Sequence, residues 1–290
     1  MDQPQPLAAD RLLTFLVDGY LELRPRDMTA DDHRILYRRA ADLYDLSRAV
    51  QSPTAHLDIL GDNLRARVPE IDRVLTDPEI DGALTSLLGP DYLLHPHSYC
   101  HRSGSGDQIF HQDGNLPWNE RGHYRSHRTD WLMLFYYPQD VDETNGPTEV
   151  VAGSQYWTVD HEKPDGGWHP GDRIDRSLDP SVFDGDDLDA RDRHQAEALA
   201  RGLDVPDLER RFLQVPAGTV VIADYDLVHR GSRVGGHPEP RYMYKFYLAR
   251  VREPVIDPGR RPLADLDLPA TTRPELRPVV DAQLRRLLGG

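Results

Sequence analysis

From residue 92 onward the chain is a succession of short runs rich in branched and aromatic residues, each broken by Gly, Pro or Asn: 92–99, 108–111, 129–137, 148–151, 211–215, 219–223 and 241–251. Runs this short, bounded by turn residues, predict strands rather than helices. Residues 1–90 read differently. Leu12, Leu13, Phe15, Leu16 and Tyr20 recur at helical spacing and lead into a short extended piece, 20–23. A second helix, 31–46, opens on acidic residues, which suit the positive end of a helix. A third helical segment, 71–88, carries Leu75, Ile80, Leu84, Leu87 and Leu88 and stops at Gly89-Pro90. Strands after a helical preface predict a mainly β fold, an antiparallel sandwich or barrel with flanking helices.

The chain reads as a single domain, 1–290: a helical part (1–90), barrel strands in 91–159 and 211–252, and a C-terminal helix within 253–290. Between the two sets of strands, residues 160–210 are rich in Asp, Arg, Gly and Pro. A segment of that length inside a compact domain is either a lid over a site or a passive insertion. In the last stretch Leu276, Val280, Leu284 and Leu287 share one helical face, which packs on the barrel or across a dimer interface, leaving monomer and homodimer both open.

The net charge of −15 argues against nucleic acid, whose phosphates would be repelled. It describes a solvated acidic surface, or one that steers a cationic substrate. No apolar run approaches the ~18 residues that a membrane helix needs. Cys100 is the single cysteine, which excludes an intramolecular disulfide and a thiolate zinc site. With no basic flank before an apolar stretch at the N-terminus, the expectation is a cytoplasmic protein without a membrane partner.

The chemistry concentrates in Phe110-His111-Gln112-Asp113-Gly114. Residues two apart on a strand point to the same side, so His111 and Asp113 can converge on one point. Further on, the strand 219–223 runs through a turn to His229. Two imidazoles and one carboxylate form the facial triad of non-haem Fe(II) oxygenases, which leaves coordination positions open for a chelating 2-oxo acid and O2. Arg241 opens the following strand, where a planar guanidinium can hold a carboxylate through two parallel hydrogen bonds.

These segments, in this order, resemble the phytanoyl-CoA dioxygenase family of Fe(II)/2-oxoglutarate-dependent oxygenases over most of the chain. The resemblance lies in "DGYLELRP", "LTDPEIDGALTSLLGPDYLL", "QIFHQD", "DETNGPTEVVAGSQYW" and "GTVVIADYDLVHRGS", followed by Arg241. It implies a double-stranded β-helix, the cupin-like jelly roll, with helices outside. It implies His111, Asp113 and His229 as iron ligands and catalytic centre, with 2-oxoglutarate and O2 as co-substrates. Arg241 then takes the distal carboxylate of 2-oxoglutarate and Ser232 shares it. Ser232 and Arg241 both stand one residue further from His229 than the family pattern, as a one-residue insertion near Arg230 would produce. Gln108 and Thr148 are further candidates for the co-substrate, or structural strand residues. With Asp113 present, halogenation, which needs that position free for halide, is disfavoured.

Asn115 and Trp118, just after Asp113, are expected to line the substrate side. Trp157 and Tyr225 can stack on a substrate ring or serve in packing. His95 and His97 flank Pro96 and lack the glutamate of a cupin metal site; His123 and His127 stand in a polar, Gly-containing stretch. The expected activity is hydroxylation, or another oxidation, of a small polar metabolite, as in natural-product biosynthesis. A polyanionic CoA ester suits the acidic chain less well. A metal-dependent isomerase or lyase on the same barrel would not need Arg241, and a hydroxylase of protein side chains would need a broad open groove.

Overall fold

The computed structural model describes residues 5–49, 64–104, 113, 129–156, 210–232, 234–237 and 239–252. Helix α1 (Ala9–Asp18) turns directly into β1 (Tyr20–Leu23), as the helical spacing followed by an extended piece predicts. Helix α2 (Ala30–Ala49) begins on a reciprocal cap: the Asp32 carboxylate accepts from the backbone N–H and hydroxyl of Thr29, both at 2.8 Å, and Asp32 N–H donates back to Thr29 Oγ1 at 3.3 Å.

The segment 71–88, expected as one helix, is three pieces. A 3₁₀ turn (Pro69–Ile71) follows the short α3 (Leu64–Arg67) and leads into α4 (Asp72–Leu75), and α5 (Pro78–Leu88) starts afresh. Pro78 has no N–H to continue α4, and Asp77 caps the new helix by accepting from Glu79 N–H at 3.0 Å.

Among the described residues there are eight strands: β1, β2 (Leu93–Arg102), β3 (Trp131–Tyr137), β4 (Thr148–Val151), β5 (Arg210–Phe212), β6 (Thr219–Asp224), β7 (His229–Gly231) and β8 (Tyr242–Ala249). Seven answer to the predicted extended runs, most with shifted ends, β7 answers to none of them, and the predicted run 108–111 lies outside the described residues. Among the described residues the eight form a five-stranded sheet, β1-β6-β3-β8-β2, and a three-stranded sheet, β5-β4-β7, with antiparallel pairing throughout. This is a double-stranded β-helix with helices outside. In β2 the register with β8 shifts between Leu94 and Ser98, around Pro96, which cannot donate to the ladder.

Both faces of the large sheet are covered, which is why its strands read as unbroken apolar runs. Leu132, Leu134 and Tyr136 of β3 and Tyr242, Tyr244, Phe246 and Leu248 of β8 pack on the helices, against Leu12, Phe15, Leu36, Leu84 and Leu87. The alternate residues, Met133, Phe135 and Tyr137 of β3 with Met243 and Tyr247 of β8, join Val150, Leu213, Val215 and Leu227 in a second, inner core. Lys245 belongs to that inward-facing alternation, two residues from each of Met243 and Tyr247. The segment 160–210 lies outside the described residues apart from Arg210, and the C-terminal helix lies outside them entirely.

Candidate metal and co-substrate site

His229 begins β7, a strand the sequence reading took for the end of a turn. The approach to it is fixed by Asp224, whose Oδ1 accepts from Asp226 N–H at 2.9 Å while its carbonyl accepts from Leu227 N–H at 3.1 Å. Ser154 then bridges the neighbouring strand, donating to Val151 O at 2.6 Å and accepting from Val228 N–H at 2.8 Å. The imidazole is 4% exposed, and its Nδ1 lies 3.0 Å from Leu227 O. A carbonyl accepts only, so Nδ1 carries the proton and the lone pair of Nε2 faces the inner core.

Asp113 lies opposite, its Oδ2 4.0 Å from His229 Nε2. That oxygen accepts from Tyr247 OH at 3.0 Å and from the Lys245 ammonium. Lys245 Nζ also lies 3.4 Å from His229 Nε2. Burial first, and then the charge of Asp113, holds the Tyr247 phenol well above its ordinary value, so it stays a hydrogen-bond donor to the carboxylate. His111, the third residue of the expected triad, lies outside the described residues. Among the described residues no three His, Cys, Asp or Glu side chains come together as a metal group. The pair Asp113 and His229 is what the structure places.

Arg241 stands just before β8, not within it. Its backbone is held by Ser103, whose hydroxyl accepts from Arg241 N–H at 2.9 Å and whose own N–H donates to Arg241 O at 2.8 Å. Its Nε donates to Gly146 O at 2.7 Å, and its guanidinium carbon stands 6.0 Å from the centre of the Tyr137 ring. The residue is 3% exposed, and burial pulls its pKa below the ordinary arginine value. Nη1 of Arg241 and Oγ of Ser232 are buried with no hydrogen-bond partner among the described residues. Buried donors of this kind are costly unless paired, and a carboxylate is a group that can accept from a guanidinium and a hydroxyl together.

Thr148 lies in the same inner layer, its hydroxyl accepting from Tyr137 OH at 2.8 Å and lying 3.8 Å from Met243 Sδ. Tyr225 packs 5.7 Å from Tyr247 and 5.9 Å from Trp131, ring centre to ring centre, and Tyr99 stands 6.0 Å from Tyr247. These rings cluster around Tyr247, the phenol that holds Asp113. Gln108, Asn115, Trp118 and Trp157 lie outside the described residues. His95 stands on β2 with its ring 5.9 Å from Trp131. The pairing of β7 with β4 runs in register through Arg230, so an extra residue relative to the family pattern is not a bulge at that point.

The sequence reading missed Lys245, Tyr247, Ser103 and Gly146. Lys245 had a signal. It is one of two lysines in the chain and interrupts the otherwise apolar Tyr242-Met243-Tyr244-Lys245-Phe246-Tyr247. Ser103 and Gly146 had none, because their part is a contact between loops far apart in sequence.

A jelly roll carrying an imidazole, a carboxylate and a buried arginine fits the oxygenase-type enzymes of this barrel. The phytanoyl-CoA dioxygenase (PhyH) family model matches residues 37–237, well over half of the chain. The chain belongs to the phytanoyl-CoA dioxygenase family, and it is a non-haem iron, 2-oxoglutarate-dependent enzyme.

Solved structures with the same fold include the non-haem α-ketoglutarate-dependent carbocyclase SnoK from nogalamycin biosynthesis, at 17% identity, TM-score 0.54, with 84% of each chain covered. The epimerase SnoN, in complex with Fe3+, α-ketoglutarate and nogalamycin RO, matches at 14% identity and TM-score 0.52, over 83% of each chain. EctD from S. alaskensis with bound Fe matches at 18% identity and TM-score 0.52, over 86% of this chain and 79% of that one. No curated protein matches the chain by sequence. No helix among the described residues is long and apolar enough to cross a membrane.

Proposed function

We propose that this chain oxidises a small organic metabolite of natural-product type, with His111, Asp113 and His229 holding Fe(II) and with Arg241 and Ser232 holding the distal carboxylate of 2-oxoglutarate. The observation that carries this reading is the pair of buried donors, Arg241 Nη1 and Ser232 Oγ, that have no hydrogen-bond partner among the described residues, with Arg241 standing over the inner-core Tyr137 and Asp113 bonded to the inner-core Tyr247. The donor set fits the metal: an imidazole whose lone pair is aimed inward and a carboxylate oriented by Tyr247 suit a first-row divalent ion. Iron(II) and 2-oxoglutarate supply the oxidising power, one atom of O2 leaving in succinate as CO2 is released and the other serving the substrate.

The rest is work for the protein. Leu227 O fixes the His229 tautomer, and Tyr247 holds Asp113 by a proton it does not lose. Arg241 sets the depth at which a diacid enters, since Ser103 and Gly146 leave its guanidinium little freedom. The apolar inner core, Met133, Phe135, Val150 and Leu227, excludes water. Trp131, Tyr99 and Tyr225 offer ring faces on the substrate side, which supports a substrate carrying a ring. Hydroxylation is the simplest outcome. Fold relatives whose names record a carbocyclase and an epimerase support keeping other outcomes open.

The test is an anaerobic titration of metal-free protein with Fe(II) and then 2-oxoglutarate, followed by visible absorption. A weak charge-transfer band that is absent in His111→Ala and Arg241→Ala is the expected result. Bound iron with no band on adding 2-oxoglutarate would overturn the co-substrate assignment.

A further inference from the structure

Lys245 Nζ donates to Asp113 Oδ2 and lies 3.4 Å from His229 Nε2, while those two atoms are 4.0 Å from each other. The ammonium therefore sits at the point between the two donors. It is 5% exposed and stands 5.3 Å from the ring centres of both Phe135 and Tyr247. A buried cation survives only with a counter-charge, and Asp113 is the carboxylate it has.

A divalent ion bonded to an imidazole and a carboxylate at ~2.1 Å each, in neighbouring coordination positions, draws the two donor atoms to about 3 Å apart. It also claims the lone pairs that the ammonium now faces. Lysine and metal cannot occupy that point together, because they compete for the same carboxylate oxygen and repel one another as like charges.

We propose that Lys245 is a built-in competitor for the metal, neutralising the Asp113–His229 pair in the metal-free protein and leaving it when a divalent ion binds. This rests on the reading of Asp113 and His229 as metal ligands. The consequence is twofold. In the metal-free protein the Asp113 carboxylate has a counter-charge, which favours the folded barrel before the metal binds. The intrinsic affinity of the ligands is reduced by the fraction of molecules in which the ammonium holds Asp113, so weakly available ions are turned away.

The experiment is a calorimetric titration of the metal-free protein with Co(II), under anaerobic conditions, for wild type, Lys245→Met and Lys245→Arg, with thermal melts of the metal-free and loaded forms. Lys245→Met is expected to bind Co(II) about 10-fold more tightly, because the competing state is gone. Its metal-free form is expected to melt below wild type, and its loaded form to melt with it. Lys245→Arg, which keeps a cation at the point, is expected to gain no affinity. Equal or weaker binding by Lys245→Met would overturn the competition while leaving the ligand assignment standing. No binding by either wild type or Lys245→Met would overturn both. Should Lys245→Met not fold, Lys245→Gln, neutral and polar, is read in the same way.

Discussion

Arg241 Nε donates to the carbonyl of Gly146 at 2.7 Å, and this one bond commits a 3%-exposed guanidinium to a single orientation in which Nη1 meets no partner among the described residues. A cation fixed in this way recognises a carboxylate by geometry as well as charge. Replacing Arg241 with Met removes two charge-assisted hydrogen bonds, each worth about 1.5–3 kcal/mol, so 2-oxoglutarate affinity is expected to fall by at least ~100-fold. Arg241→Lys keeps the charge but loses the planar fork, and is expected to recover only part of that loss. Calorimetric titration of 2-oxoglutarate into Co(II)-loaded protein checks both. Co(II) affinity itself should stay unchanged, since Arg241 contacts neither Asp113 nor His229 in the hydrogen-bond set around the pair.

Gly146 makes that orientation possible. Its φ is +82°, and a Cβ placed there would stand 2.7 Å from Ser103 Cβ and 2.8 Å from Ser232 O. The loop passes between the two residues that frame Arg241 and the unpartnered hydroxyl. Gly146→Ala is expected to cost about 1–3 kcal/mol through the positive φ and the clash. It should also raise the KM for 2-oxoglutarate, because relief of the clash moves Ser103, Ser232 or the Gly146 carbonyl. Thermal melts together with succinate release at varied 2-oxoglutarate measure the two effects separately. Loss of stability with an unchanged KM would show that the loop tolerates the shift without moving Arg241.

How much of this could be read from the residues depends on whether the signal is local. Strands β4 and β6 were legible because their turns are written beside them: Gly146-Pro147 before Thr148, and Pro216-Ala217-Gly218 before Thr219. His229 and Arg241 were legible because the chemistry needs those types in that order. The break at Asp77-Pro78 was misread, since the apolar spacing of Leu75 and Ile80 continues across it while the hydrogen-bond ladder does not. The three-residue β7 was invisible, because its pairing with Thr148–Val150 is made by residues some eighty positions away. The same holds for Ser103, Gly146 and Tyr247, whose parts exist only once β2, β3 and β8 lie side by side. Lys245 could have been found by placing it on the inward alternation of β8 together with Tyr247.

Asp77 joins two elements that the sequence keeps apart. It is buried, its Oδ1 accepts from Glu79 N–H at 3.0 Å at the start of α5, and its Oδ2 accepts from Asp27 N–H at 2.9 Å in the loop before α2. Asp77→Ala removes a helix cap worth ~1 kcal/mol and leaves a second backbone donor unpaired, for a loss of about 2 kcal/mol in all. Asp77→Asn, which keeps one acceptor oxygen for the helix cap and loses the other, is expected to lose about half as much. Urea denaturation of the metal-free protein reads both, and an Asp77→Ala midpoint equal to wild type would show that water replaces both bonds.

His33 gives the stability a pH dependence of defined sign. Its Nδ1 lies 2.8 Å from Tyr136 OH, and its ring presses on Gly218, so the side chain is partly withdrawn from water beside β3 and β6. Burial lowers its pKa from the ordinary ~6.5; Asp32 opposes this and Arg24 adds to it. The folded protein therefore binds fewer protons at His33 than the unfolded chain does. A depressed pKa contributes stability that is fully present above the unfolded value and is lost as pH falls through it toward the folded one. Between about pH 7.5 and about pH 5, the Tm of metal-free wild type is expected to fall more steeply than that of His33→Gln, which keeps a hydrogen bond to Tyr136 but cannot titrate. The carboxylates titrate alike in both proteins, so the difference isolates the histidine. A gap between the two Tm curves that does not change with pH would mean that His33 contributes packing alone.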